Sequence, residues 1–119
     1  MERGDTHLIN MPLPNRASGA GTIARRKYVV CLQGGPDFAN QTEVAVVVAS
    51  TFRRQRPMGL RPYEVLVGQS HGFQNDTVID CRWVFTIQKT EAPPSTFVFR
   101  LPQDVMLDVS AALVVGLQL

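Results

Sequence analysis

Apolar and polar positions alternate with period two along much of the chain, and the period becomes helical only near its end. Glu43 to Ala49 (EVAVVVA) is a nearly continuous apolar run, the pattern of a central strand buried on both faces. Lys27 to Gln33 (KYVVCLQ), Tyr63 to Val67 and Thr96 to Arg100 (TFVFR) read as further strands, and Asp5 to Met11 has short-strand character. The longest strand signal runs from Thr77 to Ile87. Its alternate residues Thr77, Ile79, Cys81, Trp83, Phe85 and Ile87 form one mostly apolar face, expected to pack into the core. Asp80 and Arg82 fall on the other face, one strand step apart. A carboxylate and a guanidinium fixed in this way are an ion pair or half of an active site.

From Pro102 to Leu117 the sequence PQDVMLDVSAALVVGL predicts a helix over 102–117. Pro102 suits the first turn, and Asp104 and Asp108 lie where the macrodipole favours acids. The helix is apolar around most of its circumference. A single barrel face cannot cover so broad a surface, so either a second copy of the chain or a loop must cover the rest. Residues 12–25 (PLPNRASGAGTIAR) and 52–62 (FRRQRPMGLRP) carry the Pro and Gly punctuation of mobile loops. Five to six short strands and one C-terminal helix predict a mainly β protein, a small and strongly bent sheet or barrel.

With 119 residues the chain suits one domain spanning 1–119. A net charge of +2 does not by itself demand a nucleic-acid partner, but the cations are clustered. Arg25, Arg26 and Lys27 form one basic run; Arg53, Arg54, Arg56 and Arg61 form another. Either suits a phosphate backbone or an acidic protein segment. No apolar run is long enough for a membrane span and no export signal core opens the chain, which predicts a cytoplasmic protein. Cys31 and Cys81, both in strands, are expected to be free and buried. Neither His7 nor His71 has ligand-spaced partners, so no metal or other cofactor is expected.

The order of short motifs resembles the MazF/PemK-type toxins. Arg3-Gly4-Asp5 before a strand is similar to their RGD/RGE opening. KYVVCLQ, EVAVVVAST, PYEVLV with a following GQ, and DTVIDCRWVFTIQKT are similar to their successive strands. The resemblance implies a small SH3-like barrel of the CcdB/PemK type that forms a homodimer. It also implies the toxin of a type II toxin–antitoxin pair, cutting single-stranded RNA without metal and restrained by an acidic antitoxin. A non-cleaving toxin of the same architecture, such as a gyrase poison, is the alternative. The family's basic residue before the second strand corresponds to Arg26 or Lys27, and its strand-end hydroxyl to Ser50 or Thr51. Asp80 and Arg82 occupy the place of an Arg and Asp pair in reverse order, and Trp83 and Phe85 stand where a Gln and an Arg are frequent.

Metal-free cleavage uses the ribose 2′-hydroxyl as an internal nucleophile. It needs a base, a cation at the phosphate and an acid at the departing oxygen. The resulting expectation places Arg26 (or Lys27) and Arg82 at the phosphate, Ser50 or Thr51 on a phosphate oxygen, and Asp80 as base or orienting group. His71, in the polar loop GQSHGFQND, is a candidate acid. Arg25, Lys27, Arg53, Arg54, Arg56 and Arg61 are candidate RNA contacts.

Overall fold

The computed structural model describes residues 1–14, 22–52 and 59–119. Six strands form one antiparallel sheet curved into a half-barrel: β1 Asp5–Pro14, β2 Thr22–Cys31, β3 Glu43–Thr51, β4 Glu64–Val67, β5 Thr77–Gln88 and β6 Phe97–Arg100. Their order across the sheet is β4-β5-β3-β2-β1-β6. Among the described residues one α-helix, α1 (Gln103–Gly116), packs against β4 and β5.

The apolar run of β3 is buried on both faces, as its pattern predicts. Val47 and Ala49 join the core beneath α1, with Val30, Ile79, Cys81, Phe73, Val105, Met106 and Val109. Val44, Val46 and Val48 face the other way, into a second core with Ile9, Met11, Val29, Cys31, Phe38 and Ile87. Both cysteines are free and buried. Burial disfavours a buried thiolate, and the Cys81 thiol is pushed up to about 12, with the Asp80 charge adding to the effect.

The RGD segment acts as a clasp at the start of β1. Gly4 adopts φ +91°, and a Cβ there would lie 3.0 Å from the Leu101 carbonyl oxygen, so glycine is required. The buried Asp5 carboxylate accepts hydrogen bonds from Arg100 Nε at 2.6 Å and from the Glu2 backbone N–H at 2.8 Å. Arg3 donates to the carbonyls of Leu32 and Met106, and to the Ser110 hydroxyl. One short sequence thus ties β1 to β6 and α1.

Two sequence expectations change. The 12–25 segment is strand at both ends: β1 and β2 stay paired out to Pro12↔Ala24 and Pro14↔Thr22, and only 15–21 lies outside the described residues. Proline signalled a loop here, but β6 pairs with β1 only over Asp5–His7. Beyond that no strand among the described residues neighbours the outer edge of β1, and an edge tolerates residues without an N–H. In the 52–62 segment, 53–58 lies outside the described residues.

The second change is in β5. Val46 pairs with Phe85 but Val48 with Asp80, so two steps on β3 face five on β5, and β5 carries three extra residues. An odd insertion inverts the parity of everything beyond it. Ile79 and Cys81 therefore enter the core under α1, while Ile87, of the same parity, enters the opposite core. Trp83 falls inside the insertion and is 53% exposed instead of buried.

His7 is buried, with Nδ1 2.9 Å from Thr96 Oγ1 and its ring edge-on to Phe97. Burial lowers its pKa below the ordinary 6.5, although the Asp5 charge opposes the shift. The folded state therefore binds this proton less readily than the unfolded chain. Stability should be fully present above pH 6.5 and fall as the pH drops through and below that value. Denaturation midpoints of the wild type and His7→Gln at pH 7.5 and 5.5 check this: the variant should lose less stability on acidification.

Candidate nucleic-acid interface

Register decides which candidate residues share a face. Tyr28 pairs with Ala49 and Val29 with Val48, so the next rung sets Lys27 beside Ser50. The contact is made: Lys27 Nζ donates to Ser50 Oγ at 3.2 Å. By parity both lie on the side of Val29 and Val48, whereas Arg26 and Thr51 lie on the side of Tyr28 and Ala49. Of the two alternatives left open at each position, the geometry joins Lys27 with Ser50. Arg25 shares the parity of Lys27, and both Arg25 and Arg26 are exposed.

The same face continues onto β5. Ser50 pairs with Val78 and Val48 with Asp80, so Asp80 is a diagonal cross-strand neighbour of Ser50. Asp80 and Arg82 do meet, with Arg82 Nη2 3.1 Å from Asp80 Oδ2. Asp80 Oδ1 also accepts the Arg82 backbone N–H at 2.9 Å and, more weakly, Nε at 3.4 Å. Three hydrogen bonds to one neighbour make Asp80 chiefly an orienting group for the guanidinium. The hydrogen bonds and charge of Asp80 raise the Arg82 pKa further, so this cation is permanent.

The Arg82 guanidinium also lies over two aromatic rings. Its Cζ lies 4.6 Å from the Tyr63 ring centroid and 5.9 Å from that of Trp83. Tyr63 thus supports the arginine, a role its sequence position did not disclose. Gly116 of α1 contributes from beneath, since a Cβ there would meet the backbone of Cys81 and Arg82. Its one available signal was a glycine ending an otherwise apolar helical run.

Other candidates stand apart. Gly68 donates its backbone N–H to His71 Nδ1 at 3.3 Å, and Ser70 Oγ lies 3.4 Å from the same atom. These contacts are local to the β4–β5 connection and bring His71 to none of Lys27, Ser50, Asp80 or Arg82. Arg61 precedes β4, its backbone N–H donated to Glu64 Oε1 at 2.8 Å. Its Nε is buried with no hydrogen-bond partner among the described residues. Arg53, Arg54 and Arg56 lie outside the described residues. The described residues include no group of three or more His, Cys, Asp or Glu able to hold a metal ion, and no helix able to cross a membrane.

No protein-family model and no curated protein matches the sequence. Solved structures do match. A mycobacterial endoribonuclease in complex with its cognate antitoxin superposes with TM-score 0.72 at 18% identity, over 100% of this chain and 96% of that one. The Mycobacterium tuberculosis toxin MazF-mt6 gives TM-score 0.71 at 16% identity, over 97% of each chain. This chain has the MazF fold. MazF from Deinococcus radiodurans matches comparably, with TM-score 0.72 at 14% identity, over 100% of this chain and 97% of that one. The MazF-type architecture therefore spans the whole chain despite low identity, as the ordered motifs led one to expect. Side chains at so low an identity must be judged by their own geometry.

Proposed function

We propose that this protein is the toxin of a type II toxin–antitoxin pair and cuts single-stranded RNA without metal, using the face that carries Lys27, Ser50, Asp80 and Arg82. The observation that carries the reading is the Lys27–Ser50 contact, set diagonally across from a locked Asp80–Arg82 pair on a MazF fold. Lys27 and Arg82 place two cations beside a phosphate, and the Ser50 hydroxyl hydrogen-bonds one of its oxygens. The ribose 2′-oxygen attacks phosphorus and gives up its proton to Asp80 Oδ2, which carries one hydrogen bond from Arg82 while Oδ1, carrying two, keeps the guanidinium oriented. The P–O5′ bond breaks, and the departing oxygen takes a proton from the Lys27 ammonium. Dependence on the 2′-hydroxyl confines the reaction to RNA.

The solved relatives described with an antitoxin support the same kind of partner here. The exposed arginines suit an acidic antitoxin segment. A homodimer would cover the outer face of α1, where Leu107, Val114 and Val115 are exposed. A cytoplasmic toxin is the matching location.

The test is a long single-stranded RNA incubated with purified protein in EDTA. Cleavage at a restricted set of sequences is expected. Intact RNA across many sequences, with growth arrest on expression retained, would instead establish a non-cleaving toxin. Trp83 and Phe85, at positions where related toxins often carry Gln and Arg, are what keep that second reading open.

A further inference from the structure

Trp83 is the chain's single tryptophan and is 53% exposed on the three-residue insertion of β5. In a regular strand its side chain would point away from that of Arg82. The insertion instead leaves the indole 5.9 Å from the Arg82 guanidinium, which is stacked on Tyr63 and bonded to Asp80. The result is a cluster of a tyrosine ring, a cation fixed by a carboxylate, and an indole with much of its surface open to solvent. An aromatic surface beside a cation is how proteins hold unpaired nucleotides, the cation taking the phosphate and the ring a base.

We propose that Trp83 is the stacking platform for one unpaired base of the RNA substrate, adjoining the phosphate that Arg82 contacts. The proposal rests on the RNA-cleaving reading above and adds a determinant of which sequences are cut. A protein interface would also cover an exposed indole. The base is favoured because the ring adjoins a guanidinium already oriented by Asp80 on the Lys27–Ser50 side of the sheet, where an RNA backbone would run. Stacking is sequence-tolerant, so Trp83 would favour large bases at one position without fixing the whole site.

Because Trp83 is the sole tryptophan, its fluorescence reports the contact directly. A random-sequence 2′-O-methyl oligoribonucleotide pool, which cannot be cleaved through a 2′-hydroxyl, serves as the binding probe. Titration should quench the emission of the wild-type protein. Trp83→Ala should bind the pool about tenfold to a hundredfold more weakly, measured by anisotropy of labelled RNA, and Trp83→Phe should recover most of the affinity. Cleavage sites mapped on a long RNA should show relaxed preference at one position in Trp83→Ala.

If Trp83→Ala binds the pool and cuts the same sequences as the wild type, the proposal fails while the endoribonuclease reading stands. If the free wild-type protein cuts RNA but its tryptophan is already shielded from acrylamide, the ring is covered by protein and the proposal also fails. A wild type that neither binds nor cuts RNA overturns the endoribonuclease reading and this inference with it.

Discussion

Replacing Lys27 by alanine should lower the rate of RNA cleavage by roughly a hundredfold to a thousandfold, the range seen when one preorganised donor is lost from a charge-stabilising site. Lys27 is half-buried on β2, and its ammonium donates to Ser50 Oγ at 3.2 Å. Truncation removes the cation and leaves the rung of backbone pairing untouched, so far-ultraviolet circular dichroism should be unchanged. Lys27→Arg should restore part of the rate by returning the charge. Arg26→Ala, one residue away but on the opposite face, should weaken cleavage much less. Equal losses at the two positions would show that a general basic surface, and not the Lys27–Ser50 contact, carries the activity.

The second large effect is at Gly116. Helix propensity alone would make alanine about 1 kcal/mol more favourable than glycine there. The contact reverses that expectation. A Cβ at Gly116 would collide with the Cys81 carbonyl oxygen and lie 2.8 Å from its carbon and 3.1 Å from Arg82 Cα. All three are backbone atoms, so the end of α1 must lift away from β5 or the insertion must move. Overpacking of this kind costs about 1–3 kcal/mol. Gly116→Ala should therefore lower the urea midpoint, and it should also lower cleavage by shifting Arg82 from between its partners. A variant as stable as the wild type, with full activity, would mean that helix and insertion do not meet as described.

Much of the fold was legible in residue pattern alone. The unbroken apolar run of β3 needed cover on both faces, and it has it. The terminal helix and the free, buried cysteines follow from equally local signals. What escaped notice depended on pairing. Pro12 and Pro14 look like loop residues until it is known that no strand among the described residues neighbours the outer edge of β1 beyond His7. Trp83 looks like core until the three extra residues of β5 are counted against β3. No single strand contains that information.

The candidate site divides along the same line. Strand parity set Asp80 and Arg82 side by side and the contact is made, although Arg82 already lies within the β5 insertion. The choice between Arg26 and Lys27, and between Ser50 and Thr51, needed the register between β2 and β3. Tyr63 and Gly116 reach Arg82 from elements distant in sequence, and neither carries a motif that would announce it.

In the proposed reaction the RNA's own 2′-hydroxyl is the nucleophile, activated on the face built by Lys27, Ser50, Asp80 and Arg82. Once a cleavage site has been mapped, an oligoribonucleotide spanning it can be prepared with a single 2′-deoxyribose on the 5′ side of the scissile phosphate. In EDTA the all-ribose strand should be cut, and the singly substituted strand should stay intact at that bond. Cutting of the substituted strand at the same bond would show that the 2′-hydroxyl is not the nucleophile.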